Sequence, residues 1–251
     1  MLCLLIRIAE RGDVIGYGGC LYGDMVGLKP AVIIDNLLTY VTTGNMNIEN
    51  KYFSLAANYK KQYDTINDKY RWVNIAGDVA GIRAQVTSSR EPWIAAAGIE
   101  RAQIKNVDRL AWNPNNGYRD LLYKNKLNPI VSFPGQGIMK WGQKTMQSRS
   151  SAFDRENIRC LFNYLERAVS KMSKSMVFEA NDEFTRNYFV SICKPLFERV
   201  RSGRGIESYK IVCDETNNTP IVRSNNQFVA TFLIKPTYTA EFITLNFDNF
   251  L

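Results

Sequence analysis

The sequence has 251 residues, of which 45% are hydrophobic and 22% are charged, a composition typical of a globular protein. It carries a formal net charge of +8 and contains no histidine, so the commonest general base and metal ligand of enzymes is absent. Five cysteines without a Cys-x-x-Cys pair predict reduced thiols rather than a disulfide framework. The apolar residues 1–9 are too few to span a bilayer and include Arg7, so membrane insertion is not expected.

The positive charge is concentrated in the middle of the chain. Residues 140–204 contain 13 Lys and Arg against 7 Asp and Glu, whereas residues 205–251 contain 3 against 5. Such a region attracts nucleic acid, an acidic protein surface or another copy of the chain. No phosphate-binding Gly-x-x-x-x-Gly-Lys-(Ser/Thr) loop is present, and the neighbouring carboxylates Asp182 and Glu183 fit a helix start. The sequence therefore predicts no enzyme, cofactor or metal site.

The first third of the chain alternates apolar runs with turns. Residues 16–23 are rich in glycine, but the third glycine of a dinucleotide-binding motif would fall on Leu21, so we expect a turn or loop. The apolar run 31–38 is compatible with either a strand or a helix. Residues 51–59 predict a buried strand that leads into a polar loop at 64–69.

Small residues recur at helical spacing within the segment 70–84. They occupy positions i, i+3, i+4 and i+7, line one helix face and would allow close backbone packing. These residues are Gly77, Ala80, Gly81 and Ala84. After a turn at 113–117, residues 118–127 predict a short helix that ends before Pro129, because a residue before proline is disfavoured in a helix.

An amphipathic helix is predicted over residues 153–174. Ser151 and Asp154 provide a start signal that resembles a capping box, and apolar side chains fall on one face. We place five basic side chains on the opposite face, which is either a solvated surface or a binding surface. They are Arg155, Arg159, Arg167, Lys171 and Lys174.

A second helix is predicted over residues 182–201, with apolar side chains around more than half of its circumference. Pro195 lies inside this helix and should kink it, because proline deletes one backbone hydrogen bond. Gly203 and Gly205 should then end it.

The last part of the chain is predicted to be rich in strands, at residues 209–214, 227–236 and 239–247. A terminal apolar strand can pair with the sheet edge of a neighbouring subunit, although an ordinary intramolecular strand is the alternative. The candidate inter-subunit residues are Ala240, Glu241, Phe242, Ile243, Thr244, Leu245, Asn246 and Phe247.

The order of several motifs resembles that of tail sheath proteins from contractile phages and related injection machines. The matches are Trp-Gly-Gln-Lys-Thr at 141–145, Asn-Ile-Arg-Cys-Leu at 157–161, Phe-Glu-Ala-Asn at 178–181, the small-residue core at 77–84, the Trp93 turn at 91–98, and the segments 212–214, 217–220 and 240–243. Cys160 departs from the second arginine that the family has at this position.

The resemblance implies a mixed α+β fold with two domains. Residues 1–128 correspond to part of a middle domain that is subtilisin-like in shape but not catalytic. Residues 129–251 correspond to the C-terminal domain, with two long helices and a sheet completed by terminal arm strands, here residues 239–250. Sheath chains are usually longer and begin with an N-terminal arm, so we expect this chain to be a fragment or a shortened form.

The resemblance also implies a function. A sheath subunit polymerises around a tail tube and contracts to drive the tube through the host envelope. The expected partners are further copies of the chain, the tube protein, and the baseplate and tail terminator proteins, in a virion assembled in the host cytoplasm. The basic helix face would hold an acidic tube. The alternatives are a nucleic-acid-binding module that stacks bases on Trp141 and Tyr164, and a tail assembly protein that does not contract.

Overall fold

A computed structural model describes residues 14–43 and 49–241 of the chain. The chain forms two compact units, Met1–Lys171 and Met172–Leu251. Helices and strands are mixed along the sequence, which confirms the α+β class. The predicted domain boundary at 128 and 129 falls inside a strand, and the domain assignment stays a prediction.

The regular elements of the described residues are as follows. The strands are β1 (Gly16–Gly19), β2 (Phe53–Ala57), β3 (Tyr59–Asp64), β4 (Lys69–Asn74), β5 (Arg109–Leu110), β6 (Leu127–Phe133), β7 (Gly137–Lys140), β8 (Ile206–Val212) and β9 (Thr231–Pro236). The helices are α1 (Pro30–Thr42), α2 (Ala76–Ser89), α3 (Asn116–Lys124), α4 (Glu156–Ser173), α5 (Glu183–Ser202) and α6 (Pro220–Ser224). Short 3-10 turns are Tyr22–Asp24, Ala152–Asp154 and Lys174–Met176.

The larger unit is built on a four-stranded sheet with the order β1-β2-β6-β7. The first three strands in this order run parallel, and β7 returns antiparallel to β6. Parallel neighbours need long crossover connections. Those connections contain α1 between β1 and β2, and α2 and α3 between β2 and β6.

Both faces of this sheet are covered by apolar side chains. Alternate residues of a strand point to opposite faces. Accordingly, Phe53 and Leu55 pack in one core cluster with residues of α1, whereas Ala56 packs in a second cluster with Val79 and Ile82 of α2. All five residues of β2 are buried, as the sequence predicted for this segment. The burial of both faces is typical of parallel strands.

The apolar run 31–38, which the sequence left undecided, lies within α1. Pro30 occupies the first turn, where its fixed φ is compatible with a helix and its missing N–H is not needed. The buried side chains recur at spacings of three and four residues, which is the period of a helix face. They are Ile33, Ile34, Leu37 and Val41.

The small residues at 77–84 lie on α2 as predicted, but their face does not pack closely in the described part of the chain. The buried residues of this helix are Val79, Ile82, Arg83 and Val86. A Cβ added at Gly77 or Gly81 would meet nothing within 4 Å. The prediction of close backbone packing there was wrong for this chain on its own, because larger side chains on a different face supply the contact with the sheet.

A second sheet of the larger unit has three strands in the order β4-β3-β5. Strands β3 and β4 form a hairpin with Tyr63 opposite Tyr70 and Lys61 opposite Trp72. The sequence predicted a loop near 64–69 but did not predict strand β4. The connection closes with Asp64, whose side chain accepts from the backbone N–H groups of Ile66 and Asn67.

The smaller unit consists of α5, α6 and the antiparallel pair β8 and β9. Aromatic rings join these elements. Phe197 of α5 stacks on Phe232 of β9, with ring centroids 5.4 Å apart, and on Tyr209 of β8 at 5.1 Å. Phe189 contacts Phe228 edge to face at 5.4 Å. These contacts account for the buried aromatic residues of α5, whereas Phe184 and Tyr188 of the same helix are exposed.

The helices α4 and α5 begin and end close to the predicted positions. Asp182 caps α5 by accepting from the Thr185 N–H at 2.8 Å, Pro195 lies inside the helix, and Gly203 follows its last residue. The strand predicted at 227–236 is shorter, because only Thr231–Pro236 pairs with β8. Of the strand predicted at 239–247, residues 239–241 are described and are not in a strand.

In the described ranges 14–43 and 49–241, no helix combines the length and the apolar character needed to cross a membrane.

Candidate interaction surfaces

The start of α4 is anchored in the main sheet by a buried ion pair. Lys140, the last residue of β7, donates from Nζ to Oε2 of Glu156, the first residue of α4, at 2.5 Å. Their side chains are 0% and 1% exposed. A buried charge is tolerated only when it is paired and hydrogen-bonded, so this contact fixes where α4 begins.

Side chains from two other strands complete the environment of Glu156. The Tyr17 hydroxyl of β1 donates to Oε1 at 2.7 Å, and the Ser54 hydroxyl of β2 lies 3.4 Å from Oε2. Buried Asn128 of β6 donates to Ser54 Oγ at 3.0 Å and to the Lys144 carbonyl at 2.8 Å. The network therefore joins β1, β2 and β6 to the segment that leads into α4.

The charges in this network determine its protonation. Burial by itself raises the pKa of Glu156, but the Lys140 ammonium and the Arg83 guanidinium favour the carboxylate more, so the pKa lies below the ordinary 4.5. Burial and the neighbouring Glu156 carboxylate raise the pKa of Tyr17 well above 10.0, which keeps its hydroxyl a donor. The Glu156 carboxyl is therefore ionised at neutral pH.

The Trp-Gly-Gln-Lys-Thr motif at 141–145 connects β7 to the start of α4. The Gln143 carbonyl accepts from the Glu156 N–H at 2.8 Å, and the Thr145 hydroxyl donates to the Phe153 carbonyl at 3.0 Å. Gly142 is required by a close approach, since a Cβ there would lie 2.8 Å from Asn128 Oδ1. The motif is thus a structural junction.

The Trp93 turn at 91–98 is held from two helices. Arg83 of α2 donates to the Ile94 carbonyl at 2.8 Å and to the Pro92 carbonyl, and Asn157 of α4 donates to the Trp93 carbonyl at 3.3 Å. The Trp93 ring packs against Tyr164 with centroids 5.9 Å apart. Tyr164, a predicted base-stacking residue of the nucleic-acid alternative, thus uses its ring inside the fold.

The five predicted basic residues do not form a single exposed face. Arg159 is 2% exposed and lies over the rings of Tyr52, Phe153 and Phe162, at 4.6, 4.9 and 5.7 Å from their centroids. It also donates to Asn163 and to Glu166. The placement of Arg159 on a surface was wrong, because it stands only about 60° from Phe162 around the helix.

The remaining four basic residues differ in exposure. Arg155 is partly buried, pairs with Asp154 at 2.8 Å and lies over the Tyr123 ring at 5.8 Å. Arg167 and Lys171 are exposed on α4, and Lys174 is exposed in the turn Lys174–Met176. The candidate basic residues exposed on the larger unit are therefore Arg167 and Lys171, and Lys174 is exposed on the smaller unit. The predicted tube contact stays a prediction.

The candidate inter-subunit strand lies almost wholly outside the described residues. Ala240 and Glu241 are described, whereas residues 242–247 are not. In the described part of the smaller unit, β8 and β9 pair only with each other, so each has an open edge. The donation of a strand by residues 240–247 thus stays a prediction.

Sequence reasoning missed the Lys140–Glu156 pair and the aromatic surroundings of Arg159. One available signal was a lysine that directly follows Ile138 and Met139 in an apolar strand. Its partner is 16 residues away and carries no sequence mark that distinguishes it from a surface glutamate. Within the part of the chain that the structure describes, no cluster of acidic, cysteine or histidine side chains is suited to a metal ion.

Comparison with known protein families gives two adjacent matches. The phage tail sheath central domain matches residues 24–146, and the phage tail sheath C-terminal domain matches residues 148–249. The second match begins before α4, in the segment that the buried network joins to the main sheet.

Curated relatives carry the same description. The tail sheath protein of Vibrio phage KVP40 is 45% identical over 203 residues, which cover 81% of this chain and 30% of that protein. The tail sheath protein of Enterobacteria phage T4 is 40% identical over 229 residues, which cover 89% of this chain and 35% of that protein. The chain thus spans about a third of the length of these relatives.

Solved structures share the fold at low sequence identity. The sheath complex of the extracellular contractile injection system PVC, in its contracted state, aligns with a TM-score of 0.75 and 17% identity, covering 92% of this chain and 62% of that chain. The contracted helical sheath of the anti-feeding prophage aligns with a TM-score of 0.73 and 17% identity, covering 86% and 65%.

Proposed function

This chain belongs to the phage tail sheath family, and from that membership we propose that it is a structural subunit of a contractile tail sheath. The observation that carries the proposal is the unbroken succession of the family's central and C-terminal domains over residues 24–146 and 148–249. Copies of the chain polymerise helically around a tail tube, and the sleeve contracts to drive the tube through the host envelope. The family is one of structural proteins.

Contraction in this proposal is a change between two packings of subunits that remain folded. A subunit that transmits force needs elements that do not slide within it. The buried Lys140–Glu156 pair and the bonds from the 141–145 segment to α4 are contacts of this kind. They support a larger unit that moves as a body when the sleeve rearranges.

The partners follow from the same proposal. They are other copies of the chain, the tail tube protein along the sleeve, and the baseplate and tail terminator proteins at its ends, in a virion assembled in the host cytoplasm. Residues 239–250 donate a strand to a neighbouring subunit, for which an open sheet edge such as that of β8 or β9 is a suitable acceptor.

The exposed cations of α4 hold an acidic tube surface. Arg167 and Lys171 are the test positions, because both residues are exposed on α4. We expect Arg167→Glu with Lys171→Glu to reduce the fraction of chain that sediments with preassembled tube by at least about tenfold. The measurement is made at low salt, because salt screens the attraction between exposed charges.

The matched control is Lys105→Glu with Lys124→Glu, two exposed lysines elsewhere on the larger unit. It changes the net charge by the same amount and should leave sedimentation with the tube nearly unaffected. Equal losses in the two double variants would point to net charge alone, and no loss in either would contradict a tube contact through α4.

A further inference from the structure

The link between α4 and α5 displays apolar and acidic side chains at the surface of the described part of the chain. Phe178 is 103% exposed and Phe184 is 78% exposed, and Val177 beside them is also exposed. Glu179 and Glu183 are exposed between the two phenylalanines, and neither enters an ion pair with another described residue. We name residues 177–184 the exposed link.

The backbone of the exposed link is ordered rather than loose. Phe178 has φ +74°, a left-handed conformation that bulky residues rarely adopt and that glycine or asparagine would adopt more easily. Asn181 donates to the Gln227 carbonyl at 2.8 Å, and the Arg186 guanidinium donates to the Asn181 carbonyl at 3.2 Å. A fully exposed phenylalanine in this conformation, on a backbone held by hydrogen bonds, is a candidate for a contact with another molecule.

A surface of complementary character lies on the three-stranded sheet of the larger unit. Lys61 pairs in register with both Trp72 and Arg109, and Tyr63 pairs with Tyr70, so these side chains share one face. The Lys61 ammonium lies 5.2 Å from the centroid of the Tyr70 ring, and the Arg109 guanidinium lies 5.6 Å from that of Trp72. We name these five residues the hairpin face.

The cations of the hairpin face are available to an incoming carboxylate. The ion pairs that this sheet makes with described residues use other side chains: Lys60 with Asp78 at 2.8 Å, and Arg71 with Asp64 at 2.8 Å. Arg109 itself is exposed, and so are the rings of Tyr63 and Tyr70. Aromatic side chains beside arginine are the composition typical of the centre of a protein interface.

We propose that the exposed link of one subunit docks on the hairpin face of a second copy of this chain. The carboxylates of Glu179 and Glu183 then meet Lys61 and Arg109, and Phe178 and Phe184 pack against the rings of Tyr63, Tyr70 and Trp72. Charge complementarity selects this occupant, because the chain itself carries the matching acidic and aromatic segment. The contact is heterologous, and such contacts propagate into rings or helical arrays.

This inference rests on the proposed function, since it assigns one contact within the assembled sheath. The most direct test incorporates the photo-crosslinking amino acid p-benzoyl-L-phenylalanine in place of Phe178. Equal amounts of the chain that carries the crosslinker and of the unmodified chain are mixed and assembled, with one of the two grown in nitrogen-15. The assemblies are examined by electron microscopy and irradiated, and the crosslinks are mapped by mass spectrometry. We expect mixed-isotope crosslinks from position 178 to peptides that contain residues 59–74 or 109.

Charge exchange provides the second test. Glu179→Lys with Glu183→Lys should reduce assembly at least about tenfold, as should Lys61→Glu with Arg109→Glu. A mixture of the two double variants should recover assembly, because the lysines of one link then face the glutamates of the other hairpin. Glu100→Lys with Asp120→Lys, at exposed carboxylates outside both surfaces, is the matched control and should assemble normally.

The outcomes separate the docking contact from the function. Assemblies with crosslinks that map elsewhere, or charge variants that the mixture does not rescue, would overturn the docking and leave the sheath proposal standing. A wild-type chain that forms no assemblies would overturn both. The melting temperature of each variant is also measured. A variant that melts at the wild-type temperature is folded, so its loss of assembly does not come from misfolding.

Discussion

The most consequential contact at the residue scale is the ion pair between Lys140 and Glu156. Removing either partner leaves the other charge buried without its ion-pair partner, which costs more than the pair contributes in total. We expect Lys140→Met and Glu156→Leu each to lower the free energy of unfolding by about 3 to 5 kcal/mol. The combined variant should lose clearly less than the sum. Urea unfolding of the four proteins measures this coupling, and additive losses would contradict it.

The same pair predicts how stability depends on pH. Because the pKa of Glu156 is lowered in the folded chain, its contribution is complete above the unfolded value near 4.5 and is lost as the pH falls through the lower folded value. The melting temperature should therefore drop on acidification below about pH 4.5. In Glu156→Gln this contribution is absent, so its melting temperature should lie below wild type at pH 7 and approach it near pH 3. Parallel curves would refute the assignment.

Arg159 illustrates what helical periodicity does not determine. Its neighbours Ile158 and Leu161 predicted a buried side of α4 correctly, and both are buried. An arginine at the edge of that side can turn its guanidinium either to solvent or onto aromatic rings. The rings that settle the choice include Tyr52, more than 100 residues earlier in the chain. Such a partner is fixed by the fold and not by local spacing.

At the scale of elements, a glycine-to-alanine change should have opposite effects on stability at Gly142, in the junction before α4, and at Gly81, inside α2. A Cβ at Gly142 would approach Asn128 Oδ1 to 2.8 Å and Tyr123 Cε2 to 3.0 Å. Because Asn128 is buried and hydrogen-bonded, Gly142→Ala should destabilise the chain by about 1 to 3 kcal/mol.

Gly81→Ala is the matched control, since a Cβ there meets nothing within 4 Å and the residue lies inside α2. It should stabilise the chain by about 0.5 to 1 kcal/mol through helix propensity. Chemical denaturation measures both variants. A neutral Gly142→Ala would contradict the close approach at the junction.

The elements that sequence predicted well are those with a long, regular pattern. The helices at 153–174 and 182–201 and the buried strand at 51–59 were found close to their predicted positions. Strand β4 was missed because none of its residues is buried and it mixes charged with aromatic side chains. Its pairing with β3 is what orders it, and pairing is a non-local property.

At the scale of the molecule, the boundary between the family domains and the boundary between the compact units differ. The C-terminal domain match begins at residue 148, whereas the larger unit extends through Lys171. The first helix of the C-terminal domain therefore starts inside the larger unit, where Glu156 joins the main sheet. The resemblance of the motifs predicted a sheath fold, but this anchoring depends on contacts among β1, β2, β6 and β7.

Electron microscopy of the purified chain, alone and mixed with its tube protein, tests the central claim most directly. The account predicts tubular sleeves with helical order. It also predicts that charge reversal at Arg167 and Lys171 lowers the fraction of tubes that a sleeve covers. A chain that remains monomeric at high concentration, both alone and beside the tube, would contradict the claim that this chain builds a sheath.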